Sequence, residues 1–252
     1  MILRKITQAF KEQNWVAIWI EFILLVVGVF LGIQVQQWSN ERSERKLEHA
    51  YLERILSDIN LSIETNELNI VRLTGISNGQ ILVVKSLRRC SLPDDQKDEF
   101  ADGVSDIAKV GPSVFVLSTM DEMLSAGKFS IIRNPKIRDT LNGLSRDAKY
   151  QTNIFTAIYA QLASSSATTS KRIIRIYEDH KTPFDSVVWS DWDLDFPALC
   201  RDKEFQAAVS NSSYLADAQI SLNSRALAKL RPAKVVLEKE LGIHSKTEEA
   251  TP

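Results

Sequence analysis

Trp15 to Val35 reads WVAIWIEFILLVVGVFLGIQV, and this stretch decides the fold. At 1.5 Å rise per residue, a run of about 21 residues spans roughly 30 Å, the thickness of a bilayer's hydrocarbon layer. Branched and aromatic side chains dominate it. They are mediocre helix formers in water, but in lipid an unpaired backbone amide is far costlier than a restricted rotamer, so a helix is expected. Trp15 and Trp19 lie at one end and Trp38 just past the other, where amphipathic indole rings favour the headgroup zone. From Gln13 to Asn40 the single ionisable side chain is Glu21. A core helix of a soluble protein seldom runs this long without polar interruption. A cleaved signal peptide has a shorter apolar core and a small-x-small cleavage pattern, which Gly32-Ile33-Gln34 fits poorly. The expectation is a retained single-pass anchor over 15–37.

Within the span, Glu21 carries the most information. A carboxyl group among apolar side chains is costly and usually has a partner, a water path or a task. Gly28 and Gly32 form a G-x-x-x-G. At 100° per residue, Glu21 falls about 20° around the helix from Gly28, with Leu25 and Gly32 near the same stripe. Glycines let two backbones approach closely, and a carboxyl group can then hydrogen-bond across the contact. Glu21, Leu25, Gly28 and Gly32 are therefore the expected packing face, for a second copy or for a partner's membrane helix. The plainer reading has Glu21 snorkelling to the headgroups or protonated, beside glycines of the kind common in membrane helices. One carboxyl group on one span supplies no ion or proton pathway.

Working outward, residues 1–14 are a short basic head with Arg4, Lys5 and Lys11. Ile2, Leu3, Ile6 and Phe10 recur there at helical spacing, which suits an interfacial segment. Past Trp38, Arg42, Arg45, Lys46 and Arg54 are diluted by acids, so the lysine and arginine balance across the span is close to even. The small basic head favours a cytoplasmic N-terminus. The large domain is then periplasmic, on a bacterial inner membrane.

The fold class expected is all-α: the transmembrane helix continues into a long amphipathic helix and an extramembrane helical domain over 38–243. Leu47, Tyr51, Ile55, Ile59 and Ile63 trace one face of a helix expected over 38–89. The charges along it, Glu41–Arg45 and Glu44–Glu48 among them, read as solvating. Further helices are expected over about 95–109, 118–127, 135–175 and 203–241. Thr119 with Glu122 forms a capping-box pattern and Gly127 is a stop signal. Asn134-Pro135 is a start signal, a cap followed by proline at the first helical position. Ser164–Thr169 reads as small-residue packing or a frayed turn, and Pro232 predicts a break or kink. Residues 182–202 are the least helical part, and 244–252 are a polar tail.

Composition narrows the chemistry. The 252 residues carry a formal net charge of -1 and no basic stripe outside the membrane flanks, which argues against a nucleic-acid partner. Walker, G-x-G-x-x-G, G-x-S-x-G, H-E-x-x-H and kinase patterns are absent from the sequence. Of the histidines, His49 and His244 sit near the ends of the domain, and His180 beside Glu178 and Asp179 resembles a turn residue. If Val187 to Phe196 is extended, Asp191, Asp193 and Asp195 share a face opposite Trp192, Leu194 and Phe196. They lack the glycine and terminal glutamate of a calcium loop, so solvent-facing acids are the default. The expectation is therefore no enzyme, no cofactor, no metal and no identifiable small-molecule ligand. Cys90 and Cys200 are enough for one disulfide in an oxidising compartment; two unpaired thiols are the alternative.

The run Glu21-Phe-Ile-Leu-Leu-Val-Val-Gly28-Val-Phe-Leu-Gly32-Ile-Gln34-Val-Gln36-Gln37-Trp38-Ser-Asn40-Glu41-Arg42 resembles the opening of the DUF6090 family, a domain of unknown function in bacterial single-pass membrane proteins. A second similar stretch runs from Thr119 through Glu122, Leu124, Ser125, Gly127, Ile132 and Asn134 to Ile137, Arg138 and Leu141. It is similar to the family's pattern of leucine, small residue, glycine and two aliphatics before a helix. Ser39-Asn40 stands where asparagine-glutamate is more usual, and Ala126 where a serine is common. The resemblance covers the first half of the chain. It implies a membrane anchor and a helical layout, and no activity.

Two roles remain on these grounds. One is a membrane-anchored scaffold or interaction protein that self-associates or joins a partner membrane protein, with the lipid bilayer as its first partner. The alternative is a sensory or ligand-binding helical module signalling through a separate partner, because the short N-terminal side carries no output domain. A polar pocket between helices would favour the second. A packed bundle with an exposed apolar patch would favour the first.

Overall fold

The computed structural model describes residues 15–176 and 189–243. The basic head, the tail with His244, and His180 with the 182–188 part of the least helical segment lie outside them. The fold is all-α, with one two-residue antiparallel ladder among the described residues. Its helices are α1 (Trp15–Arg89), α2 (Lys97–Ser105), α3 (Ser118–Ser125), α4 (Pro135–Thr169), α5 (Phe196–Leu199) and α6 (Lys203–Glu240). The ladder pairs β1 (Ile174–Arg175) with β2 (Trp192–Asp193).

The chain divides into two units, Met1–Tyr51 and Leu52–Pro252. In the first, the apolar side chains of α1 meet no core: Phe22, Leu24, Leu25 and Phe30 are all more than half exposed. This is the one helix among the described residues long and apolar enough to cross a membrane. α1 passes Gly75 and Gly79 without interruption.

The second unit is a bundle of three long helices. Ser77 Oγ donates to Asp217 at 2.8 Å, Arg231 donates to Glu67 at 2.8 Å, and Val83 and Leu87 share a core with Phe205 and Val209. As α1 advances its partners on α6 recede, so the two are antiparallel. α4 also packs antiparallel on α6: Asn211 reaches Ser165 Oγ at 3.0 Å, and Lys229 reaches Asp147 at 3.5 Å. Burying Leu73, Ile76, Leu162, Leu215, Leu222 and Leu230, at about 1.5–3 kcal/mol per side chain, holds the three together.

Helix ends show which sequence signals decide. Asn134 Oδ1 accepts from Lys136 N at 3.0 Å with Pro135 next to it. At Gly127, φ is +66°, and Lys128 N–H returns to Met123 O at 2.8 Å, a Schellman stop that a residue with a Cβ adopts at a cost. The capping box fails. α3 begins at Ser118 with no cap from its own segment. Asp58 on α1 supplies it, accepting from Ser118 Oγ and Thr119 N, both at 2.9 Å, while Glu122 is turned to Arg54.

Three further expectations are corrected. α4 stops at Thr169, short of residue 175, because its last turns are hydroxyl-rich. Thr168 and Thr169 bond back to Ser164 O and Ser165 O at 3.2 Å, which weakens a helix end. Ile174–Arg175 then pair with Trp192–Asp193. Pro232 does not break α6: its ring lies on the exposed side, and buried Leu230, Ala233 and Leu237 hold the helix on both sides of it. Asp191, Asp193 and Asp195 do not share one extended face. Asp191 ends a 3-10 turn and is buried, Asp193 lies in β2, and Asp195 caps α5 through Ala198 N at 3.0 Å.

Between α2 and α3 the chain is an extended strap that descends along α1. Gln80 holds Asp106 O (3.0 Å), Asn69 holds Pro112 O (3.0 Å), Asn66 takes both groups of Val114 (2.7 and 3.1 Å), and Ser62 accepts from Val116 N (2.8 Å). From the other side, Gln219 and Asn223 on α6 take the N–H and carbonyl of Gly111 at 2.7 and 2.8 Å. An extended segment packed along helices has no ladder partner for its amides, and these side chains satisfy them.

Candidate functional site

The expected membrane face is an open surface. Glu21 is exposed and Leu25 is 64% exposed. A Cβ built on Gly28 or Gly32 meets nothing within 4 Å. Spaced by four, three and four residues along one helix, the four positions line one side. The close glycine contact lies elsewhere, where Gly79 on α1 meets Gly103 on α2.

Cys90 and Cys200 form a disulfide with Cα atoms 5.4 Å apart. It ties the end of α1 to the turn between α5 and α6. Cys90 occupies the left-handed C′ position of α1, φ +49°, where Ser91 N–H returns to Ser86 O at 3.2 Å. His49 is exposed on α1. No group of three or more His, Cys, Asp or Glu among the described residues is arranged to hold a metal ion.

A polar recess lies between the end of α4 and the start of α6. Ser164, Ser165 and Thr168 face Ala207, Ala208 and Asn211 there, and side chains this small leave an open groove of about 610 Å³. Arg172 fixes its end. Its Nε donates to Asp202 at 2.9 Å and its Nη1 to Thr168 O at 3.1 Å, while Nη2 reaches Glu204. Asp202 also caps α6, accepting from Phe205 N at 2.9 Å. That backbone bond first, and Arg172 second, hold the Asp202 carboxyl below its ordinary value of 3.8, and the two carboxylates raise Arg172. The groove can hold a polar molecule, and its lining pairs no nucleophile with a histidine base.

The lowered Asp202 value sets a sign. A carboxylate favoured in the folded state adds stability above the unfolded value near 3.8, and that contribution fades as pH falls through the lower folded value. Asp202→Asn, which keeps a capping acceptor, is expected to flatten this acid limb in thermal unfolding between about pH 5 and 2. Asp202→Ala loses the cap as well, about 1 kcal/mol at neutral pH.

Sequence reading missed the polar residues that matter most inside the bundle. Ser62, Asn66, Gln219 and Asn223 are fully buried, at positions where a helix normally presents aliphatic side chains to a core. The available signal was the polar pair Ser62 and Asn66, four positions apart beside the Ile55–Ile59–Ile63 stripe. Comparison with known protein families, curated proteins and solved structures finds no match to this chain.

Proposed function

We propose that the chain is a membrane-anchored interaction protein whose helical domain stands at the bilayer surface. The observation that carries this is the contrast within α1. The most apolar 18-residue stretch of α1 is 0% buried, whereas from Leu52 to Ile59 the apolar face is buried in a bundle. More than half-exposed Leu61, Leu68 and Val71 on the outer side of α1 add apolar surface available to a partner. The disulfide supports a domain in an oxidising compartment, the periplasm of a bacterial inner membrane. The resemblance of the Glu21–Arg42 and Thr119–Leu141 stretches to DUF6090 supports the same layout. No catalytic role is proposed.

Glu21, Leu25, Gly28 and Gly32 are the face through which the helix self-associates or meets a partner's membrane helix; the open space around both glycines supports this reading. The test is crosslinking and co-purification from membranes. Gly28→Leu with Gly32→Leu, and separately Glu21→Leu, are expected to reduce the crosslinked species at least about fivefold, from a packing loss of about 1 kcal/mol or more. Identical oligomers and partners in every variant would sink the packing face. Release of the chain from membranes by alkaline carbonate would sink the anchor.

The second reading, a ligand-binding module, is favoured by the 610 Å³ groove alone. Its convergent polar groups are Gln161, Lys171, Arg172 and Asn211.

A further inference from the structure

The two walls of the groove between α4 and α6 carry no charge. From Tyr150 to Ser170, and again from Phe205 to Ala216, there is no Lys, Arg, His, Asp or Glu, in a chain that is 25% charged. Solvent-facing helix is where such residues ordinarily collect. Here Gln161, Ser164, Ala207, Ser210 and Tyr214 hold exposed positions instead.

The charges stand at one end and cancel. Arg172 is taken up by Asp202 and Glu204, and Lys171 beside it is exposed, so two cations stand with two carboxylates. A groove with this balance draws in neither an anion nor a cation.

What the walls offer is hydrogen bonding. Among the described residues the Gln161 side-chain amide and the Ser164 hydroxyl are unspent. Asn211 donates to Ser165 Oγ at 3.0 Å and keeps its Oδ1, and Glu204 uses Oε2 on Arg172 and keeps Oε1. These groups both donate and accept, and an apolar ligand would leave them unpaired.

Tyr214 adds an apolar face. It follows Asn211 by three positions, on the same side of α6, and is 69% exposed. Leu215 beside it packs with Ile158 and Leu162, so this turn of α6 is level with Gln161. The electron-rich face of an aromatic ring attracts C–H groups. A sugar ring combines such C–H groups with hydroxyls that both donate and accept, and it has no net charge. The groove's 610 Å³ lies within the roughly 300–1,000 Å³ of small-molecule sites.

We propose that this groove binds a neutral saccharide, its hydroxyls on Gln161, Ser164, Asn211 and Glu204 and its C–H face on Tyr214. The Arg172 cluster closes one end. This rests on the ligand-binding reading above and is independent of the anchor.

The experiment is hydrogen exchange on the full chain in phosphatidylcholine nanodiscs. The probes are glucose, N-acetylglucosamine, maltose and cellobiose, each at about 10 mM, which loads a site of millimolar Kd. At least one saccharide is expected to slow amides 161–168 and 207–214 by up to about tenfold, the ratio of loaded to empty site at that affinity. Amides 52–59 of α1 stay unchanged. Gln161→Ala with Tyr214→Ala removes the slowing, and Tyr214→Phe, which keeps the ring, retains it. Both side chains are exposed, and unchanged exchange at 52–59 checks the fold of the double variant; should it fail that check, Gln161→Ala alone is read, with a partial loss expected. Slowing that survives the double variant places the saccharide elsewhere and overturns the site. The same amides are followed with the dipeptides Glu-Glu and Lys-Lys. Slowing by a dipeptide and by no saccharide overturns the saccharide class while the ligand-binding reading stands. No slowing by any probe overturns both.

Discussion

Replacing Gly103 with alanine is expected to lower the stability of the bundle by about 1–3 kcal/mol, the range of overpacking at a rigid contact. A Cβ on Gly103 would lie 2.5 Å from Gly79 O, 2.7 Å from Gly79 C and 2.9 Å from Val83 Cγ2. Two of the three obstacles are backbone atoms of a long helix, which cannot rotate aside as a side chain can. Relief requires α2 to move off α1, and α2 carries Phe100 and Val104 into the core that also holds Leu87, Phe205 and Val209. The reciprocal change is milder: a Cβ on Gly79 meets Gly103 Cα at 3.3 Å, a few tenths of an ångström too close, and alanine's helix propensity offsets part of the cost. Gly75, one turn earlier, meets nothing within 4 Å. Gly75→Ala is expected to stabilise by about 0.5–1 kcal/mol from propensity alone. Urea unfolding of the three variants gives the ordering. Gly103→Ala no less stable than Gly75→Ala would mean that the two helices do not touch there.

That contrast bears on how much the sequence can tell. Gly28, Gly32, Gly75, Gly79 and Gly103 look alike on the page, and only placement separates the pair in contact from the three in open space. Signals that act within one turn were readable. The 15–37 run, the Asn134-Pro135 start, the Gly127 stop and the long periods of α4 and α6 all follow from local spacing or lipid solvation. What escaped depends on a partner distant in the chain. Thr119 and Glu122 have the right spacing for a capping box, but Asp58 is placed closer to the helix end and Arg54 draws Glu122 away. Asn66, Gln219 and Asn223 read as surface residues because the strap they hydrogen-bond to is more than forty positions away in sequence. Pro232 reads as a break because the tertiary burial on both sides of it is invisible in the sequence. The proposed membrane face has the same status as the glycines: its residues are local, and what it meets is not written in its own helix.

Removing the disulfide is the other large perturbation. Cys90 and Cys200 close a loop with a sequence separation of 110. Chain entropy for a loop of that size corresponds to about 4–5 kcal/mol, of which about 2–4 is commonly realised. The loss should be felt first at the end of the bundle that the bridge closes. There α1 stops, and Trp189, Phe196 and Cys200 pack against Val83, Leu87, Phe100 and Phe205. The strap and the Arg54–Asp58 end keep their hydrogen bonds, so the domain remains folded at neutral pH with a lower urea midpoint. Two variants separate cross-linking from backbone strain. In Cys90→Ser the bridge is gone and a Cβ still sits at φ +49°, a conformation that costs a non-glycine residue about 1 kcal/mol. In Cys90→Gly the bridge is gone and that cost with it, so this variant should unfold at a higher urea concentration than Cys90→Ser, the gap corresponding to roughly 1 kcal/mol. Cys200→Ser should match Cys90→Ser, because each removes the same bridge and leaves the left-handed residue in place. A midpoint unchanged by any of the three, measured on oxidised protein, would show that the bridge constrains nothing the bundle does not already hold. The disulfide would then mark the compartment and not the fold.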